Sequence, residues 1–233
     1  MDIHAETADG VLTLTMDDGA KNALDIDAFL AITGAFDAAG DDVRAIVLAG
    51  RDGILSAGLN VKWMATAGRD GLRTLLTEFG RTMMRIWTEP RPTVCAATGH
   101  AVAAGTMLAM ACDHAVAAEG EYAWGLTETQ IDFELPVFGL TLARHNLAAN
   151  HFEDLLLPGR RVDAATAVAV GYADEAVPVT DVVARAQAVA AELAALPARA
   201  YAGTKARLRA ADADAVLASL ETDIDALIAH IPG

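Results

Sequence analysis

The 233-residue chain suits one α/β domain with at most a small appendage, so no second catalytic unit is sought. Its formal net charge of −15 argues against a phosphate-tracking nucleic-acid surface and against an anionic membrane face, because both need clustered Lys and Arg. An anionic ligand held by a few local cations and backbone N–H groups is still allowed.

The N-terminus, MDIHAETADG, has neither a basic stretch nor an apolar core, so no signal peptide is expected. Residues 1–16 alternate around Asp9-Gly10, which predicts a β-hairpin of Ile3 to Glu6 and Val11 to Met16. Asp25 is placed to cap a helix to about Ala39, with Phe29, Ile32 and Phe36 on one stripe. Val43 to Ala49 reads as a buried strand, residues 70–88 as a helix closed by Pro90 and Pro92, and Thr93 to Ala97 as a second buried strand. A helix through Met110 and a strand at His114 to Ala118 follow. Beyond that point the strand–helix alternation lapses. Residues 139–157 and 163–170 look helical, Glu175 to Val179 reads as a short extended link, and 180–231 as almost wholly helical.

Strands with crossover helices first and helices afterwards predict a parallel-rich α/β core with a helical C-terminal region. The change of character near residue 175 falls within one structural unit, whose core spans 1–178 and whose helical region spans 179–233. No apolar run reaches the roughly 18 residues of a membrane helix. Cys95 and Cys112 predict free buried thiols, and the expected location is cytoplasmic.

Two strands each end in a loop of small residues, Ser56-Ala57-Gly58-Leu59-Asn60 and Gly99-His100-Ala101-Val102-Ala103-Ala104-Gly105. Open α/β sheets place ligands at such strand ends. The second segment enters a helix directly, so its free N–H groups face outward with the positive dipole end. Side by side, the two could hold a carbonyl oxygen as negative charge develops on it. The other reading is that Gly and Ala serve turn geometry and tight packing. Neither segment has dinucleotide or phosphate-loop spacing.

Taken together, the two segments resemble the crotonase (enoyl-CoA hydratase/isomerase) family. Residues 54–64 (ILSAGLNVKWM) are similar to its F-S/A-A-G-x-D-x-x-x-M, and residues 99–113 (GHAVAAGTMLAMACD) to N-G-x-A-x-G-G-G-x-x-L-A-x-x-C-D. Lys21-Asn22-Ala23-Leu24, Gly125 to Gln130, Pro136 to Arg144 and Gly171 to Pro178 match further motifs in order. The resemblance implies stacked ββα turns and a C-terminal helical region that assembles homotrimers or hexamers. It implies an acyl-CoA thioester substrate, with CoA arriving as part of it and no resident cofactor or metal. Oxyanion donors carry over to the backbone N–H groups of Leu59 and Ala104. Ala57 falls in the adenine-contacting loop, Gly58 beside it is a CoA-binding residue, Lys21 and Ala23 border the CoA channel, and Lys62 is either a CoA-phosphate contact or a solvated lysine. Asn60 stands where the family has Asp. Ala103 and Ala104 replace two glycines, so this segment is expected to use dihedral angles open to alanine.

Hydratases of the family use two glutamates. Here the first position is Met107 and the second is Glu128. A lone carboxylate suits a proton shift better than water addition. The resemblance is accordingly strongest to Δ3,Δ2-enoyl-CoA isomerases, with Met107, Trp124 and Phe133 expected to wall Glu128 and make it a stronger base. Other crotonase-type reactions (hydration, thioester hydrolysis, decarboxylation) and an acyl-CoA binder without turnover stay open. Asp132 and Glu134 are candidate second acids or solvated loop charges. Cys112-Asp113-His114 is disfavoured as a metal cluster because adjacent strand residues face opposite ways.

Overall fold

Asp9 and Gly10 take φ of 52° and 79°, the left-handed pair that a two-residue hairpin turn needs. They join β1 (Asp2–Ala8) to β2 (Val11–Asp17), antiparallel with Ala8 opposite Val11. A computed structural model describes residues 1–229. After β3 (Ala23–Leu24), Asp25 caps α1 (Ile26–Asp37) by accepting the Ala28 N–H at 3.0 Å. Phe29, Ile32 and Phe36 form its buried stripe, as their spacing predicts.

Three ββα units follow. β4 (Ala45–Ala49) leads to β5 (Gly53–Ser56) and, past β6 (Gly58–Leu59) and α2 (Val61–Met64), to α3 (Gly68–Trp87). β7 (Thr93–Ala97) leads to β8 (Gly99–Val102) and α4 (Ala104–Ala111). β9 (His114–Ala118) leads to β10 (Trp124–Gly125) and, after a 3-10 turn at Glu128–Ile131, to α5 (Val137–Asn146). The chain continues through α6 (Phe152–Leu156), α7 (Ala164–Val170), β11 (Glu175–Val177), α8 (Val182–Ala194) and α9 (Ala198–Leu227).

The main sheet has the order β1-β2-β4-β7-β9-β11, parallel apart from the hairpin, and a second parallel sheet has the order β10-β8-β5. This is the stacked ββα architecture of the crotonase fold. Several local expectations are corrected. Gly58–Leu59 is not loop but pairs with β3, and Gly99–Val102 is the middle strand of the second sheet. Glu175–Val177 is the edge strand of the main sheet rather than a link, aligned with Val116 to Ala118. The helix expected over 139–157 breaks where Leu147 turns extended, at φ −77° and ψ 143°. Pro197 separates α8 from α9, and residues 230 and 231 of the expected C-terminal helix lie outside the described residues.

Alternation along the strands divides the interior. Ala45, Val47 and Ala49 face one way and pack with Val182, Ala186, Val189 and Ala190 of α8, whereas Ile46 and Leu48 face the larger core. Alanine on the first face lets the helix lie close. Gly80 of α3 does the same for α9, because a Cβ there would fall 2.6 Å from Leu220 Cδ1. A buried charge cluster fastens α9 to the sheet. Lys205 Nζ donates to the carbonyls of Glu89 (2.6 Å) and Arg91 (2.8 Å) and pairs with Asp113 at 2.5 Å. Arg209 (2.6 Å), the Tyr201 hydroxyl (2.8 Å) and the Thr93 N–H (2.9 Å) also donate to that carboxylate. His114 turns instead to Glu175, at 2.9 Å, so the adjacent Asp113 and His114 point apart. Among the described residues no helix is long and apolar enough to cross a membrane.

Candidate active site

The two small-residue segments meet at the centre of the second sheet. Gly58 has φ of 96°, and a Cβ on it would stand 3.0 Å from Ala103 Cβ and 3.2 Å from the Val102 carbonyl oxygen. Gly105 is pressed against Ser56, with only 2.5 Å from a Cβ position to the Ser56 carbonyl oxygen. Packing therefore demands these small residues whatever else they do. Asn22, wholly buried, ties the approach together by donating to the carbonyls of Met16 (2.9 Å) and Leu55 (3.0 Å). Ser56 Oγ donates to Asn22 O at 2.6 Å and accepts the Gly58 N–H at 3.1 Å.

Most amides around this junction are spoken for. Ala57 N–H donates to Lys21 O, Asn60 N–H to Leu24 O, and Ala103 N–H to Gly125 O. Leu59, on the cavity wall, lies between the engaged amides of Gly58 and Asn60, and Ala104, at the first turn of α4, follows that of Ala103. Asn60 still caps α2, its Oδ1 accepting the Trp63 N–H at 3.1 Å, so it keeps the capping capacity of an Asp.

Ala103 departs from expectation. It does not adopt angles open to alanine but sits at φ 52° and ψ −117°, a region that favours glycine. Its N–H bond to Gly125 O and the apposed Gly58 hold it there. Ala103→Gly is expected to stabilise the fold by about 1 kcal/mol, the released strain outweighing glycine's greater chain entropy. Urea unfolding of the two proteins checks this, and an unchanged or lower midpoint would contradict it.

A cavity of about 200 Å³ opens at the junction. Ala57, Leu59, Val102 and Ala103 form one side; Val61, Met64, Leu76, Phe79 and Pro136 form an apolar wall; and Thr127, Glu128, Ile131, Phe133 and Arg161 close the rest. Glu128 starts the 3-10 turn after β10 and is only 7% exposed. Its Oε2 has no hydrogen-bond partner among the described residues. Burial among apolar walls disfavours the charged form and raises its pKa from 4.5 to about 7. Tyr172, buried nearby, is pushed up to about 12, first by burial and also by the Glu128 charge, with the Leu126 backbone opposing the rise.

The structure gathers only part of the expected set here. Phe133 walls the cavity, but Trp124 and Met107 do not line it; both are wholly buried behind it. Met107 turns its thioether toward Gly139, where a Cβ would stand 2.8 Å from its terminal methyl. Lys21 and Lys62 are exposed and outside the lining, and Ala23 is half-buried in β3 beside Gly58. Asp132 and Glu134 are exposed and border a separate hollow. Arg161 was missed from sequence. An exposed Arg beside another Arg has no periodicity to mark it, and only the bridge between Val162 and Trp124 brings it to the cavity.

A larger hollow, about 450 Å³, lies against Asp113, Tyr201, Lys205 and Arg209. Its charged groups are spent on one another, so the smaller cavity with the unpartnered carboxylate is the better candidate.

Residues 6–231 match the family model described as enoyl-CoA hydratase/isomerase. A Thermus thermophilus protein named as an enoyl-CoA hydratase is 32% identical over 206 residues, covering 82% of this chain and 77% of that one. Mouse mitochondrial enoyl-CoA delta isomerase 1 is 26% identical over 226 residues, covering 95% and 78%. The crystal structure of an enoyl-CoA hydratase/isomerase family protein from Pseudomonas syringae superposes with a TM-score of 0.92 at 31% identity, over 97% of each chain. This chain belongs to the enoyl-CoA hydratase/isomerase family.

Proposed function

We propose that the chain isomerises 3-enoyl-CoA to 2-enoyl-CoA with Glu128 as its single proton carrier. The observation that carries this reading is that Glu128, buried and with its Oε2 unpartnered, is the one carboxylate among the described residues lining the cavity. Ionised Glu128 takes a proton from C2 of the acyl group, and the thioester oxygen becomes an enolate oxygen. The N–H groups of Leu59 and Ala104 donate to that oxygen; one such donor is typically worth about 3–4 kcal/mol. The same carboxyl returns the proton at C4, so no water has to be held. Val61, Met64, Leu76 and Phe79 keep water away, and the raised pKa makes Glu128 a stronger base that is about half ionised near neutrality.

In this reading Lys21, Ala23, Ala57, Gly58 and Asn60 border the CoA strand, Lys62 reaches toward its phosphates, and no resident cofactor is needed. Met107 acts from behind the wall as apolar filling. The assembly is a homotrimer or hexamer, for which exposed Leu196, Leu208 and Leu217 supply apolar surface. Hydration of 2-enoyl-CoA is the second reading, favoured by the relatives named as hydratases. It calls for a second acid to hold and split water. Incubation with 3-enoyl-CoA and 2-enoyl-CoA, following isomer and 3-hydroxyacyl product separately, tests the two. Isomerisation is expected to exceed hydration by at least about tenfold, roughly 1.4 kcal/mol in barrier. Equal or faster hydration reverses the assignment.

A further inference from the structure

Arg161 is the one cation among the described residues that line the cavity, and it lines the same space as Glu128. Its guanidinium takes part in no ion pair or hydrogen bond among the described residues, whereas the neighbouring Arg160 pairs with Asp154 at 3.4 Å. In a chain carrying 32 acidic against 17 basic residues, an arginine left without a carboxylate beside a binding cavity is conspicuous. Arginine's planar fork matches a carboxylate or phosphate, and it is poorly used when left to water alone.

Topology says which anion it meets. In the second sheet β8 lies between β5 and β10. Ala57 and Leu59 follow β5 on one side, next to Lys21 and Ala23 of the paired β3 region. Thr127 and Glu128 follow β10 on the other side, and Val162 bridges Trp124 beyond it, bringing Arg161 to the far flank. With the thioester oxygen at Leu59 and Ala104, and the CoA strand leaving past Lys21 and Ala57, Arg161 stands on the acyl side past Glu128. We propose that Arg161 selects acyl-CoA substrates whose acyl chain ends in a carboxylate, held by its guanidinium at the rim of the cavity. This rests on the acyl-CoA reading of the site given above.

Two other features agree. The cavity, at about 200 Å³, suits a short acyl segment, so an end group a few carbons past the reacting centre would reach its rim. An anionic end group there would oppose ionisation of Glu128, and the positive charge of Arg161 offsets that repulsion. The acidic residues of the adjoining loop, Asp132 and Glu134, are exposed and border a different hollow.

The test uses two saturated ligands of equal length, hexanoyl-CoA and adipyl-CoA, which differ in a terminal methyl or carboxylate. Calorimetric affinities are measured for the full chain, Arg161→Gln and Arg161→Lys, together with turnover of 3-hexenoyl-CoA. Wild type is expected to bind adipyl-CoA at least about tenfold more tightly than hexanoyl-CoA. Arg161→Gln should bring the two within about threefold, and Arg161→Lys should keep part of the preference, which weakens in salt. Equal loss for both ligands would assign Arg161 to the CoA phosphates and overturn the proposal, as would a wild-type preference for hexanoyl-CoA. Turnover separates the two levels: an isomerised 3-hexenoyl-CoA without carboxylate preference sinks the inference alone, whereas failure of both acyl-CoAs to bind sinks the acyl-CoA reading with it.

Discussion

Replacing Glu128 with glutamine is expected to lower isomerase turnover by about 10²–10⁴, the usual worth of a positioned acid or base. Glutamine keeps the size of the side chain and removes the base, so acyl-CoA affinity should persist. Steady-state kinetics with calorimetry on the same preparations checks both. Retention of more than about a tenth of wild-type activity would move the base to another residue. The pH dependence follows from the raised pKa of about 7. Since the ionised form is the base, kcat/KM should rise with pH and level off above about 7, and the residual activity of Glu128→Gln should lack that limb. Stability runs the other way. The folded pKa lies above the ordinary 4.5, so the native state retains a proton that the unfolded chain gives up between these values. Stability from this group is present below 4.5 and is lost as pH rises through about 7. Glu128→Gln should therefore gain in thermal stability relative to wild type at pH 8 but not at pH 4, a comparison open to melting curves.

The second large effect concerns the fold. Asp113→Ala should destabilise the chain by roughly 3–5 kcal/mol, because it leaves a buried ammonium and guanidinium without their counter-charge. The Lys205 side chain is 6% exposed and the Asp113 side chain 7%, so water from the adjoining hollow replaces the lost partner only in part. Burial already holds the Lys205 pKa below its ordinary value, with the Asp113 charge opposing that fall. Urea unfolding measures the loss, and the double variant Asp113→Ala with Lys205→Met should recover part of it by removing the stranded charge. A loss under about 1 kcal/mol for Asp113→Ala would show that the cluster is solvated and that α9 is held by its apolar face alone.

Some features of this protein were decided locally and are legible in the sequence. The hairpin follows from Asp9-Gly10 between alternating strands, α1 from the Asp25 cap and its stripe, and the two central strands from runs that only a sheet covered on both faces tolerates. Motif order was enough to identify the family, because turn glycines, small packing residues and a buried acid recur at fixed spacings along one chain. What tertiary structure alone decided involves residues far apart in sequence. Ala103 is held at positive φ by a carbonyl from residue 125 and by Gly58 across the junction, a demand that local propensity cannot express. Met107 leaves the cavity because Gly139 of another helix offers room for its thioether, and Arg161 enters because a single bridge lays residue 162 beside Trp124. Whether a side chain lines a cavity depends on which neighbours fill the surrounding volume, and that is settled by packing between elements rather than by the period within any one of them.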